Sequence, residues 1–326
     1  MPDQKKSLST SNSRSKQYKF LIAALLFFIP IVILYGILES TVRSLPTHFS
    51  LIQHYIEENG KDIEIAIFGS SQVQHAVNPE YLSTKSINLS SSGQHHNTDF
   101  TLLKGLIDRF PNLKGVVFEA SYGHFEIPHN SKYYWKNSVF LHYYNVNTFQ
   151  RKTYPQDKLL FISHPGKFSE ALANHFLRDS LPDVYNKYGF DTNQYEGKYR
   201  KLKYDSLRVE NASVRINNRP ETQVLNYNAP YFEEMVAYCR ERDLTVFIIS
   251  PPTYRTYVAA RNPDILKRRD SILSKIKNSY DNVYFLNAEQ DHDFKLRYFR
   301  NENHLNPDGA EVFSKKLDSL FLQTEM

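Results

Sequence analysis

Ile65-Ala66-Ile67-Phe68-Gly69-Ser70-Ser71 is a short apolar run that stops at a glycine and two serines. It reads as a strand followed by a tight turn, and in α/β proteins such turns carry side chains to the carboxyl edge of a parallel sheet, where ligands bind. The neighbouring sequence repeats the pattern. Residues 62–68 alternate and then run apolar, Lys85 to Leu89 gives a second short strand, and Gly115 to Ala120 a third. Between the last two, apolar residues at 100, 103, 106, 107 and 110 have helical spacing, and Pro111 ends the helix.

Regularity resumes near Asn228, which reads as an N-cap with Pro230 behind it, leading a helix that carries Met235, Val236 and Cys239 on one face. Thr245 to Ser250 is a strand, Asp264 to Tyr280 a helix and Val283 to Leu286 a fifth strand. A last helix opens at Pro307 and turns Ala310, Phe313, Leu317 and Leu320 inward. Strands alternating with helices predict an α/β fold with a doubly wound parallel sheet. Between about 122 and 225 the chain is rich in Tyr, Phe, His and Asn without sustained periodicity, so this stretch reads as an insertion: a lid, a helical subdomain or a substrate platform. For any single aromatic there, core packing is the commoner role.

The 326 residues, 41% of them hydrophobic, suffice for one large core or two modest ones. Cys239 is the only cysteine, which excludes an intrachain disulfide and a Cys-based zinc site. Residues 1–19 carry Lys5, Lys6, Arg14, Lys16 and Lys19 against Asp3, most of the chain's net +5. The remainder is close to neutral, which argues against nucleic acid as a partner. Phe20 to Leu38 is an uncharged apolar run of bilayer-spanning length, and no small-residue cleavage site follows it at Leu38-Glu39-Ser40-Thr41-Val42. The expected organisation is therefore a cytoplasmic basic tail (1–19), one transmembrane helix (20–38), a stalk with a short amphipathic helix (39–60) and an extracytoplasmic domain (61–326).

A serine hydroxyl becomes a nucleophile when a base takes its proton, and a third group fixes the imidazole of that base. Ser71 at the Gly-Ser-Ser turn and His304 in Asn301-Glu302-Asn303-His304-Leu305-Asn306-Pro307-Asp308-Gly309-Ala310 fit the first two roles. Taken with Val77-Asn78-Pro79 after the first turn and Asn88-Leu89-Ser90-Ser91-Ser92-Gly93 behind the second strand, these segments resemble the SGNH/GDSL hydrolase superfamily. The resemblance is nearest to its membrane-anchored bacterial envelope members, such as alginate acetylation and D-alanyl transfer proteins. It implies a flavodoxin-like sheet, Ser71 as nucleophile, His304 as base, and an oxyanion hole made by the Ser71 and Gly93 amides. It also implies residence in the bacterial inner membrane and an ester substrate, foremost O-acetyl groups of envelope glycans, attacked by an esterase or acyltransferase.

Three positions depart from the superfamily pattern. Ser70 stands where an Asp usually precedes the nucleophile. Phe118-Glu119-Ala120-Ser121-Tyr122 has no Asn to donate to an oxyanion. Position 301, three residues before His304, is Asn where the pattern has the acid. Asn301 can orient the imidazole through its carbonyl, and Glu302 is a candidate substitute acid, with Asp291 and Asp293 behind it. These departures also leave open a catalytically degenerate protein that binds glycan or an envelope-assembly partner. His95 and His96, just after the Gly93 turn, are candidate substrate contacts. His75, His95, His96 and Asp291-His292-Asp293 show no fixed ligand spacing, and no phosphate-cradling glycine motif is present, so neither metal nor other cofactor is expected.

Overall fold

The computed structural model of the chain describes residues 11–177 and 184–324. The first ten residues of the expected basic tail and residues 178–183 of the expected insertion lie outside that range. The described residues form two compact units, one comprising the chain up to Leu45 together with the stretch from Leu159, the other Pro46–Lys158 together with the chain from Leu181 onward.

The first unit is built on one helix, Ser11–Ser44, which is roughly 51 Å long at 1.5 Å per residue. From Lys16 to Ser44 it is long and apolar enough to cross a membrane, and Phe20, Leu26, Phe27 and Val32 expose most of their surface. Pro30 lies inside it without ending it. The helix overruns the apolar run at both ends, so residues 39–44, expected as stalk, are helical. Local bonds explain this: Arg43 Nε donates to Glu39 Oε1 at 2.7 Å one turn back, and Thr41 Oγ1 donates to the Ile37 carbonyl at 2.7 Å. The Glu39 carboxylate also accepts the Leu160 and Phe161 amides at 2.9 and 2.8 Å. It thereby caps the short helix Leu160–Ser163, which leads into the helix Pro165–Phe176. This unit takes in part of the stretch expected as a single insertion.

The second unit holds a five-stranded parallel sheet: β1 (Ile65–Ile67), β2 (Ser86–Asn88), β3 (Gly115–Glu119), β4 (Thr245–Ser250) and β5 (Val283–Asn287), in the order β2-β1-β3-β4-β5. That is the doubly wound, flavodoxin-like order, with its topological switch beside β1. The alternation of strand side chains divides the core. Ile65, Ile67, Val117, Phe247 and Ile249 pack with Val73, Phe313, Leu317 and Phe321 from the helices Ser71–Ala76 and Pro307–Leu322. On the opposite face Phe118 meets Phe232 of the helix Thr222–Arg240, ring centroids 6.1 Å apart. Beyond β5 the chain makes a hairpin of β6 (Phe299–Asn301) and β7 (His304–Leu305) before the last helix.

Asn228 is not an N-cap. The helix starts a turn and a half earlier, at Thr222, and carries Pro230 in its interior. Asn228 is fully buried there, and its side-chain amide donates to the carbonyls of Phe125 and Ile127 at 2.9 and 2.8 Å. These two tertiary bonds hold the side chain away from any capping position. Within residues 122–225 Phe125, Phe140, Tyr144 and Tyr199 are fully buried and belong to the core, whereas Tyr133, Tyr154 and Phe176 are exposed.

Gly69 closes β1 with φ +151°, and a Cβ there would sit 2.8 Å from Val73 Cγ2 and 2.9 Å from Glu119 Oε2. Gly69→Ala should lower stability by about 1–3 kcal/mol, from strain and overpacking together. Denaturant unfolding of the purified chain measures this, and an unchanged midpoint would show that the turn accommodates a side chain.

Candidate active site

Three loops leave the carboxyl edge of the sheet side by side. The loop after β1 turns at Gly69 into the helix Ser71–Ala76, with Ser70 as N-cap, its Oγ accepting the Gln72 amide at 3.2 Å. Ser71 is the first residue of that helix, and a first-turn amide has no acceptor within its own helix. The loop after β2 reaches Gly93, whose φ of +72° suits a residue without Cβ. The loop after β3 runs through Tyr122, Gly123 and His124.

The β6–β7 hairpin supplies the remaining groups. Asn301 and His304 are paired across it, with Glu302 and Asn303 forming the turn. His304 Nε2 lies 2.8 Å from Ser71 Oγ, and His304 Nδ1 lies 2.9 Å from Asn301 Oδ1. The Asn303 amide donates to the same Asn301 oxygen at 3.1 Å, which fixes the orientation of the side-chain amide and turns its oxygen to the ring. Nδ1 must then carry the proton, and Nε2 presents its lone pair to the serine. Burial and the adjacent Arg300 guanidinium hold the His304 pKa down to about 4, so the ring is neutral at physiological pH.

Glu302 does not face the imidazole. Its carboxylate is buried and forms an ion pair with Lys198, and its backbone carbonyl accepts the Tyr254 amide at 2.8 Å. It is neither a substitute acid nor a solvated charge, because the turn of the hairpin sends it to the side away from His304. Asp291 and Asp293 both engage Lys316, at 2.6 and 2.7 Å. Asn301 is the group that meets Nδ1.

Ser70, Ser71, Gly93, Tyr122, Gly123 and Asn303 share a cavity of about 380 Å³. Its far wall comes from Ile127, Pro128 and Asn130 and from Arg215, Ile216 and Asn217, all within the expected insertion. Among the described residues neither the Ser71 nor the Gly93 amide N–H has a protein acceptor. The Tyr122 amide, by contrast, is committed to Glu289 Oε1 at 2.8 Å.

Two residues that sequence reasoning passed over hold this edge together. Glu119, at the end of β3, is fully buried; its Oε2 accepts the Ser70 amide at 2.6 Å, and its Oε1 lies 3.5 Å from His124 Nδ1. Burial would raise the Glu119 pKa, but His124 and, with it, the Ser70 amide outweigh this and hold the carboxyl at about 2. Burial likewise opposes a charged His124, but Glu119 and then Asp99 overcome it and raise its pKa. Asn130 accepts from the His95 amide and Thr98 Oγ1, both at 2.8 Å, and donates to the Gly93 carbonyl at 2.7 Å. It fixes the Gly93 turn from 37 residues away, and nothing local in the sequence marks it.

His95 and His96 are not exposed loop residues: they are 2% and 0% accessible. Each ring holds a backbone carbonyl through Nε2, His95 that of His124 at 2.8 Å and His96 that of Glu119 at 3.1 Å. Only His95 lines the cavity.

A scan against known protein families finds no match, and no curated protein matches. Among solved structures the chain is similar to one described as a GDSL-like lipase from Bacteroides thetaiotaomicron VPI-5482. The two are 11% identical with a TM-score of 0.37, over 84% of this chain and 97% of the other.

The His304 ring should titrate near 4 in histidine NMR spectra, and Asn301→Asp should raise that midpoint, because a carboxylate favours the imidazolium. A wild-type midpoint near the ordinary value of about 6.5 would contradict the buried geometry. Glu119→Ala should cost roughly 3–5 kcal/mol in thermal unfolding, since it strands His124 and the Ser70 amide. A loss below about 1 kcal/mol would mean that the pair contributes no more than an exposed one.

Proposed function

We propose that the chain is a serine esterase or acyl-transfer enzyme of the SGNH/GDSL type, with Ser71 as nucleophile and His304 as base. The observation that carries this reading is the 2.8 Å approach of His304 Nε2 to Ser71 Oγ, with Asn301 Oδ1 on the other ring nitrogen. As Ser71 Oγ attacks an acyl carbonyl, its proton passes to Nε2. The Ser71 and Gly93 amides donate to the developing oxyanion, and the imidazolium then returns the proton to the departing alkoxide. Water, or a sugar hydroxyl, repeats the sequence on the acyl-enzyme.

Asn301 does half of an aspartate's work. In a serine protease, replacing the aspartate by asparagine costs about 10⁴ in turnover by installing the wrong tautomer. Here the Asn303 amide keeps the oxygen toward the ring, so the tautomer is right and only the stabilising charge is lacking.

The substrate class follows from the resemblance and the expected topology: ester-linked acyl groups, foremost O-acetyl groups on envelope glycans, reached by a domain anchored in the bacterial inner membrane by the Ser11–Ser44 helix. The alternative, a degenerate binding protein, draws on Asn301 and on the missing Asn after β3. The assembled serine, imidazole and tautomer-fixing carbonyl favour catalysis.

A fluorophosphonate probe should label the wild-type chain at Ser71 and leave Ser71→Ala unlabelled. The same variant should lose at least about 10³-fold of acetyl-ester turnover. An unlabelled wild type, or undiminished activity in Ser71→Ala, favours the binding protein.

A further inference from the structure

Behind the Gly93 wall of the cavity lies a group of histidines that the acyl chemistry does not use. His95 and His96 open the helix His96–Leu106, and His129 arrives from the loop after β3. One ring nitrogen from each lies within 4.8 Å of the others. Three buried nitrogens, His95 Nδ1, His96 Nδ1 and His129 Nε2, have no hydrogen-bond partner.

An unpartnered buried polar atom is costly, and these three, with His124 Nε2 beside them, need an explanation. The backbone carbonyls of His124 and Glu119 supply part of it. Each accepts from Nε2 of its histidine, so the ring proton sits on Nε2 and the lone pair on Nδ1. That is the arrangement of a metal-binding histidine, in which the far nitrogen is held by a carbonyl or carboxylate and the near one is free to ligate. The rings are not stacked on one another. His95 is inclined at 52° to His96 and 51° to His129, while the His124 ring stacks on His95 at 12°.

We propose that His95, His96 and His129 form a binding site for a divalent first-row metal ion, with zinc as the fitting occupant. Imidazole nitrogen is a good ligand for zinc, and a protein set of three histidines leaves one tetrahedral position for water. Zinc–nitrogen bonds of about 2.0–2.1 Å require ligand atoms roughly 3.3 Å apart, so binding draws the three rings together by up to about 1.5 Å. The sequence gives no ligand spacing because the third histidine comes from a different loop, joined to the first two only by the fold.

The site has a structural consequence. His95 lines the cavity, and Asn130, next to His129, holds the Gly93 carbonyl. A metal ion here ties the loop after β2 to the loop after β3 and braces the wall that carries the Gly93 amide. This role does not depend on the identity of the nucleophile.

The test uses the full-length chain in detergent, purified without a histidine tag and stripped with a chelator. Cobalt(II) should bind at one equivalent with the intense visible absorption of a low-coordinate nitrogen site. Zinc(II) should displace it and raise the melting temperature. His129→Ala and His96→Ala should lose both the absorption and the zinc shift, whereas His54→Ala and Ser71→Ala keep them. His129 is only half-buried, so His129→Ala guards against a variant that fails simply because it does not fold. Wild type that takes up no cobalt at one equivalent, or His129→Ala that binds as wild type does, overturns the assignment. Retained binding in Ser71→Ala separates this result from that of the fluorophosphonate experiment.

Discussion

The carboxylate of Glu119 is the constraint on which the sheet edge depends. It ends the central strand β3, is fully shielded from water, and still carries a charge, because the Ser70 amide and the His124 imidazole converge on it. An ion of that kind is tolerated only when its partners are fixed. Fixing them sets the position of the turn that presents Ser71 and the path of the loop after β3. Gly69 is required by the same contact, since a side chain there would collide with the Glu119 carboxylate. Strand end, turn and loop are thus parts of a single electrostatic arrangement.

The fold was largely legible because its signals are local. Four of the five strands announce themselves as apolar runs, β2 only by Ile87 and Leu89 between polar residues, and the alternation with helices leaves little choice of topology. Boundaries were less secure: Asn228 looked like a cap because Pro230 follows it, yet tertiary acceptors on Phe125 and Ile127 hold it inside the helix. The helix Ser11–Ser44 continued past its apolar run because side chains such as Glu39 and Arg43 bond to each other one turn apart.

The candidate site was legible in part, and the division follows chain distance. Ser71, His304 and Asn301 lie in short segments whose resemblance to a known motif set implies their roles. The place of Glu302, buried against Lys198, is not legible, because two residues along a chain says nothing about which side of a hairpin a side chain leaves from. Glu119 stands out in the sequence only as part of a segment without asparagine, since burial of a charge cannot be seen in a string of letters. Asn130, His124 and His129 come from a stretch without periodicity, and what they do is set by contacts across the fold, Asn130 and His129 with the loop after β2 and its helix and His124 with Glu119 at the end of β3.

The β6–β7 hairpin pairs Asn301 with His304 and pins the amide by the Asn303 N–H. Asparagine and aspartate have nearly the same shape, so the backbone that seats one seats the other without repacking. What separates this arrangement from a carboxylate-assisted one is an amide nitrogen in place of an oxygen, a difference that one nucleotide change in the codon reverses. Exchanging Asn301 for aspartate is thus a change of charge and not of architecture.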